Sequence, residues 1–178
     1  MKKTLIALAF AGVFALSAAE IDINWSKAKV GDTKIPGWIL DDFGPVRNKV
    51  GSGKVIAGSK EGTVAFQITG KDINTAFFLN KGIPAKSGDV VKISAKIKGK
   101  GKMLIGYYCY MSDMKFIGGM ANTYKSFDAT AEFQEVSAEL EIKTHPEGLV
   151  LGKIRPQITV RPNCDVVIED LKFEIVNK

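Results

Sequence analysis

The residues from Val91 to Lys98 read VKISAKIK, and this stretch decides the fold class of the chain. Its apolar side chains, Val91, Ile93, Ala95 and Ile97, alternate one by one with lysine and serine. A period of two with one polar face is typical of an antiparallel β-strand that covers a core on one side and meets solvent on the other. The sequence therefore predicts a β-sheet at this point.

The same kind of pattern recurs along the rest of the chain between turn signals. We predict further strands at residues 63–69, 75–80, 103–111, 136–142, 154–160 and 166–175. Gly99-Lys100-Gly101 predicts a turn, and an extra residue at Glu169-Asp170 predicts a β-bulge in the last strand. Because no amphipathic helix is evident, the sequence indicates an all-β protein with an antiparallel β-sandwich or barrel.

The first residues, MKKTLIALAFAGVFALSAAE, are organised as an export signal. Two lysines precede an apolar stretch that is too short to span a bilayer stably, and Ser17-Ala18-Ala19 supplies small residues for a signal peptidase. We predict a signal peptide at residues 1–19, a single domain at 20–178, and a secreted or periplasmic location. No stable membrane insertion is expected after the signal is removed.

Length and charge restrict the class of protein further. The mature chain of about 159 residues is long enough to bury a hydrophobic core without stabilising disulfides or metal ions. The formal net charge of +6 falls to about +4 when the two signal-peptide lysines leave, and the remaining lysines are scattered. Nucleic acid is therefore not an expected partner.

Short motifs along nearly the whole mature chain point to a known family. They are PGW at 36–38, GTVAFQI at 62–68, SGDVVKISA at 87–95, FQEVS at 133–137 and VIEDL at 167–171. Their order and spacing resemble the galactose-binding-like jelly rolls, in particular the carbohydrate-binding modules of families 4, 9 and 22. The resemblance implies a jelly-roll β-sandwich, a glycan or oligosaccharide as the partner, and no catalytic activity.

The resemblance also allows a structural calcium ion but no other cofactor. The family usually has an acidic pair before its last strand, and Glu169-Asp170 stands in that place. Asp170 is the candidate ligand. The N-terminal acidic residue that often helps to bind this ion is not evident in the chain.

Four residues are expected to form a ligand-binding face. Sugar binding requires flat apolar surfaces and a few planar polar groups. Alternation along 103–111 places Tyr108 and Tyr110 on one face of that strand. If the strand that begins near Ile154 lies in the same sheet, Arg155 and Gln157 present polar groups beside them. The alternatives are that the tyrosines fill the core and that Arg155 is only an exposed strand charge.

Three aromatic residues in loop-like segments are expected at the rim of the ligand-binding face. They are Trp25, Trp38 and Tyr124. Trp38 follows Pro36-Gly37, and a tryptophan in such a place is more often a residue that fills the core than a binding platform.

Two cysteines, Cys109 and Cys164, lie in or beside predicted strands. In an exported protein they either form a disulfide across the sandwich or remain two buried thiols.

Enzymatic chemistry has little support in the sequence, so we expect a protein that is not an enzyme. The chain has one histidine, His145, and no cluster of metal ligands around it. Glycoside hydrolysis needs two carboxylates across one bond, whereas the neighbours in Asp41-Asp42 point to opposite faces of a strand. The alternative to glycan binding is a structural or protein-interaction module of the cell surface or periplasm, with a protein partner or self-assembly.

Overall fold

The computed structural model describes residues 18–42 and 44–178. They form a β-sandwich, and the predicted fold class is therefore confirmed. The strands are β1 (Ala18–Glu20), β2 (Trp38–Leu40), β3 (Ser52–Ala57), β4 (Val64–Thr69), β5 (Thr75–Leu79), β6 (Ile83–Pro84), β7 (Val90–Tyr110), β8 (Phe116–Ile117), β9 (Tyr124–Ala129), β10 (Gln134–Glu141), β11 (Lys153–Val160) and β12 (Asp165–Val176). Short 3₁₀ helices occupy Trp25–Lys27 and Gly44–Val46.

The strands form two antiparallel sheets. Sheet A has the order β10, β7, β12, β4 and β3, and β1 pairs with the end of β12. Sheet B has the order β9, β7, β11, β5 and β2, with β8 continuing the edge beside β7 and β6 pairing with the start of β11. The apolar inner faces of the two sheets form one core.

Strand β7 belongs to both sheets, and the predicted turn at Gly99-Lys100-Gly101 is wrong. Residues up to Lys100 pair with β12 in sheet A, and residues from Gly101 onward pair with β9 in sheet B. Gly99 and Gly101 have φ angles of 129° and 99°, which L side chains rarely adopt. The two glycines therefore bend the strand from one sheet into the other without ending it.

The predicted β-bulge in the last strand is confirmed. The register of β12 against β7 shifts between Glu169 and Lys172, and Asp170 has a φ of 51°. The Glu169 carboxylate is buried and accepts a hydrogen bond from the Ser59 hydroxyl at 2.6 Å. The bulge thus fixes a buried carboxylate to the loop that precedes β4.

Asp170, the candidate calcium ligand, forms an ion pair with a lysine of β7. Its carboxylate contacts the Lys96 Nζ at 3.1 Å. Within residues 18–42 and 44–178, no group of three or more His, Cys, Asp or Glu side chains is arranged to hold a metal ion. A lysine ammonium group therefore lies beside this carboxylate, and calcium binding by Asp170 stays a prediction.

The predicted signal peptide lies largely outside the described residues. Ala18 and Ala19 are described, and they pair with Val176 and Ile175 at the end of β12. Cleavage after Ala19 would therefore leave only Glu20 of β1, and the cleavage site remains a prediction.

Trp38 is a core residue, and its predicted place at the rim of a ligand site is wrong. The side chain is 1% exposed, and its indole Nε1–H donates a hydrogen bond to the Ile23 carbonyl at 2.8 Å. Trp38 stands at the start of β2 and pairs with Leu79 of β5. Its ring lies on the inner face of sheet B, where no ligand reaches it.

The two cysteines do not form a disulfide. Both are buried free thiols. The Cys164 Sγ accepts a hydrogen bond from the Lys102 N–H at 3.3 Å, so it lies beside the bend of β7. Cys109 lies seven residues beyond Lys102 on the same strand, which is about 23 Å at the rise of a β-strand. No disulfide spans such a distance.

We expect both thiols to be unreactive in the folded protein. Burial raises the pKa of Cys109 to about 12, so its thiolate is scarce at pH 8. A thiol reagent should react slowly with the native protein and should titrate two thiols per chain after unfolding without reductant. A count of zero in the unfolded, unreduced chain would show that the cysteines are oxidised.

Candidate functional site

The outer face of sheet B, which we call the sheet B face, brings together most of the predicted ligand-binding residues. Alternation along β7 puts Tyr108 and Tyr110 on this face, while Tyr107 is fully buried in the core. Strand β11 places Arg155 directly opposite Tyr108. The predicted sharing of one face by these strands is what the structure shows.

Gly106 allows two further predicted residues to approach this part of the face. Gln157 of β11 pairs with Gly106 on one side, and Tyr124 of β9 pairs with it on the other. A Cβ atom at Gly106 would lie 2.0 Å from the Thr123 carbonyl oxygen. The glycine is therefore needed for the close approach of β9.

An aromatic cleft of about 450 Å³ occupies one end of the sheet B face. Phe116 is its most exposed ring, at 60%, and it packs edge-on against Tyr108 at 5.9 Å and Tyr110 at 5.7 Å. Tyr110 is only 9% exposed, so its ring forms part of the floor of the cleft and offers little surface to a ligand. The cleft is lined by Ile39, Asp41, Phe78, Asn80, Tyr108, Tyr110, Phe116 and Arg155.

A polar cleft of about 350 Å³ adjoins the aromatic cleft along the strands. Tyr124 is 50% exposed and provides its aromatic surface. Gln157 is 6% exposed, and its buried Oε1 has no hydrogen-bond partner among the described residues. The cleft is lined by Asp41, Asn74, Ala76, Leu104, Tyr108, Tyr124, Gln157, Thr159 and Arg161.

Tyr108 and Asp41 line both clefts and form the ridge between them. The Tyr108 hydroxyl donates a hydrogen bond to the Asp41 Oδ2 at 3.3 Å. Burial, followed by the negative charge of Asp41, raises the pKa of Tyr108 above its ordinary value. The tyrosine therefore stays protonated and keeps the carboxylate in place.

The Arg155 guanidinium lies against two rings of the aromatic cleft. Its Cζ is 4.7 Å from the centroid of the Tyr110 ring and 5.6 Å from that of the Phe78 ring. Such stacking holds the plane of the guanidinium. The Nε of Arg155 is buried, and no residue within 18–42 and 44–178 accepts a hydrogen bond from it.

Trp25 lies away from the sheet B face. It lines a separate cleft together with Asp22 and Asp170 and packs edge-on against Phe66 at 6.4 Å. Since Phe66 belongs to β4 of sheet A, Trp25 cannot act at the rim that the sequence predicts. The structure thus separates both tryptophans from the predicted ligand-binding face.

The sequence-based reasoning missed five residues of the aromatic cleft: Ile39, Asp41, Phe78, Asn80 and Phe116. Phe78 could have been found, because alternation along β5 puts it on the face opposite to buried Phe77. Asp41 directly follows β2, and Phe116 is the first residue of β8. Both strands are too short to leave a periodic pattern in the sequence.

Solved structures of several kinds are similar to this chain in fold. A cyclase from Fischerella sp. TAU matches with a TM-score of 0.62 and 12% identity, over 89% of this chain and 98% of the cyclase. The enzymatically active domain of tailspike protein 4 of bacteriophage CBA120 matches at 0.55 and 11%, over 81% of this chain and 20% of that one. A third is a segment of Clostridium thermocellum endo-1,4-beta-D-xylanase 10B with a family 22 carbohydrate-binding module and a family 10 glycoside hydrolase module, in complex with xylohexaose.

The xylanase segment matches with a TM-score of 0.51 and 16% identity, over 92% of this chain and 28% of that one. This chain therefore shares its fold with these structures, and it spans only a small share of the tailspike and xylanase chains. No protein-family model and no curated protein matches the sequence. Among the residues that the structure describes, no helix has the length and apolarity needed to cross a membrane.

Proposed function

We propose that this protein binds a glycan on the sheet B face. The observation that carries the proposal is that two adjoining clefts combine exposed rings with polar groups that lack partners. Phe116 and Tyr124 supply one exposed aromatic surface to each cleft, which suits the weakly apolar faces of sugar rings. The free Oε1 of Gln157 suits a sugar hydroxyl as donor, because buried acceptors are rarely left unpaired.

The same site supports a role in binding without catalysis. Asp41 is the only carboxylate among the residues that line the two clefts, and Tyr108 already occupies one of its oxygens. Hydrolysis of a glycosidic bond requires a second carboxyl group across the bond. His145 is buried, and both of its ring nitrogens make hydrogen bonds to the backbone.

Export completes the proposal, since glycans of cell surfaces and walls are met outside the cytoplasm. The basic residues, apolar stretch and small residues before Glu20 support a secreted or periplasmic protein. The intact mass of the protein recovered after expression of the full chain tests this, and Glu20 is the expected first residue.

A second candidate function is the binding of a small aromatic molecule. The aromatic cleft has a volume and an apolar lining, with Ile39, Phe78 and Phe116, in the range of small-molecule sites. Cyclase structures of the same fold hold indole compounds, and the chain covers nearly their full length. Titration with indole compounds beside the glycan screen separates the two functions.

The test of glycan binding is an array of plant, algal and bacterial glycans probed with the purified protein and two variants. Phe116→Ala and Tyr124→Ala should each lower the affinity for the bound glycan by about tenfold, because stacking on a ring contributes on the order of 1 kcal/mol or more. Each ring is largely exposed, so the melting temperature should hardly change.

The matched control for these two variants is Phe133→Ala. Phe133 is a half-buried ring that lies under the Lys98 Nζ at 4.4 Å on the sheet A side, away from both clefts. Its loss should leave glycan affinity unchanged. Failure of the protein to bind any glycan on the array, or equal losses for all three variants, would reject the sheet B face as a glycan site.

A further inference from the structure

The charges on the sheet B face are not balanced. Alternation along β11 puts Lys153 and Arg155 on this face, and Arg161, which follows the strand, lines the polar cleft. None of these three cations forms an ion pair within the described part of the chain. Asp41 is the one carboxylate lining the clefts. A ligand on this face therefore meets an excess of positive charge.

Arg155 is the cation best placed to contact a ligand. Tyr110 and Phe78 hold its guanidinium from the side, and the residue is half-buried in the wall of the aromatic cleft. The Nε is buried without a partner, and no hydrogen bond to the described residues involves either Nη. Since the Nη atoms are not among the buried unpaired atoms, they are open to the cleft.

A guanidinium in this state favours a planar anion. Its N–H groups form a rigid fork that matches the two oxygens of a carboxylate with parallel hydrogen bonds. The surrounding rings lower the local polarity, which strengthens such a contact compared with one in water. A neutral sugar hydroxyl fills one donor position and leaves the charge uncompensated.

We propose that the sheet B face selects glycans that carry carboxylate groups, namely uronic acid residues, and that Arg155 binds the carboxylate. The inference rests on the proposed glycan-binding function. Arg161 lies six positions further along the same face, about 20 Å away at the rise of a strand. It is placed to contact a second acidic unit of a longer chain in the polar cleft.

The experiment compares one acidic glycan with its neutral counterpart. One probe is an oligogalacturonide, and the other is the neutral oligosaccharide obtained by reducing its carboxyl groups. Each is titrated by calorimetry into the protein purified after expression of the full chain. We expect the acidic oligosaccharide to bind more tightly and its affinity to fall as sodium chloride is raised, because salt screens the charges. The affinity of the neutral oligosaccharide should hardly respond to salt.

Arg155→Lys tests the shape of the group, since it keeps the charge and loses the planar fork. It should lower the affinity for the oligogalacturonide by about ten- to a hundredfold, the range expected when a hydrogen bond to a charged group is lost. Its affinity for the neutral oligosaccharide should fall less than its affinity for the oligogalacturonide, because the neutral ligand has no carboxylate to match the planar fork. Lys172→Gln, an exposed position of β12 in sheet A, changes the net charge at a distance and should leave both affinities unchanged.

The outcomes separate the inference from the proposed function. Equal binding of the two oligosaccharides, or tighter binding of a sulfated glycan than of the oligogalacturonide, overturns carboxylate selection and leaves glycan binding intact. If no glycan binds at all, the proposed function fails too. The comparison of acidic with neutral ligand and its salt dependence need only the unaltered protein, so they decide the matter even if Arg155→Lys does not fold.

Discussion

Trp38→Ala should destabilise the protein by about 4 kcal/mol, the middle of the range for removing a buried aromatic side chain. The indole is among the largest fully buried side chains, and it connects β2 to the segment that contains Ile23. The substitution leaves a cavity and also leaves the Ile23 carbonyl without its donor. Unfolding in urea, followed by the tryptophan fluorescence of Trp25, measures the loss.

Trp25→Ala is the matched control for this experiment. Trp25 is half-buried and its Nε1 has no hydrogen-bond partner, so its removal should cost much less stability than that of Trp38. Circular dichroism follows unfolding in both variants. If Trp38→Ala retained its stability and instead lost glycan affinity, the ring would have to act as a ligand platform after all.

The strands were predictable wherever one face is buried and the other is wet. Residues 91–98 and 154–160 alternate strictly, and both form strands with the predicted inner faces. Alternation put Tyr108 and Tyr110 on one face of their strand from spacing alone, whereas spacing left open whether that face is the outer one. The bulge near Glu169 was predictable for the same reason, because it interrupts the period.

The continuity of β7 was not predictable, because two glycines beside a lysine usually mark a turn. Whether the chain turns back or bends into a second sheet depends on the residues that contact those glycines. These neighbours, Cys164 and Asp165, come from a segment about 60 residues later in the chain. The candidate site likewise depends on contacts between residues that are distant in sequence. Asp41 meets the Tyr108 hydroxyl from a sequence separation of 67 residues, and no local pattern signals this contact.

The two tryptophans show why residue type alone misplaces a binding site. An aromatic ring serves equally well in a core and on a platform. Pro36-Gly37 turns the chain so that Trp38 enters β2 facing inward, and the outward positions next to it go to Ile39 and Asp41. The direction in which a side chain points depends on strand register, and it decides whether an aromatic ring lies in the core or on a binding face.

Gly101→Ala should destabilise the protein by roughly 3 kcal/mol, through backbone strain and overlap together. The φ of 99° is strained for any L side chain, and a Cβ at this position would lie 2.1 Å from the Cys164 Sγ. Gly62→Ala is the control, since Gly62 also has a positive φ, of 76°, but no atom lies within 4 Å of its added Cβ. It should show the cost of backbone strain alone, about 1 kcal/mol.

The double variant Gly101→Ala with Cys164→Ala separates the two causes at the bend of β7. Removing the Sγ takes away the nearest clashing atom, so the double variant should be more stable than the sum of the single losses predicts. Chemical denaturation of the four proteins gives this coupling directly. A strict sum would mean that Gly101 is required only for its φ, and that Cys164 does not fix the path of the strand. A positive coupling would mean that the thiol and the glycine together define the point where β7 leaves sheet A, which positions Tyr108 and Tyr110 on the sheet B face.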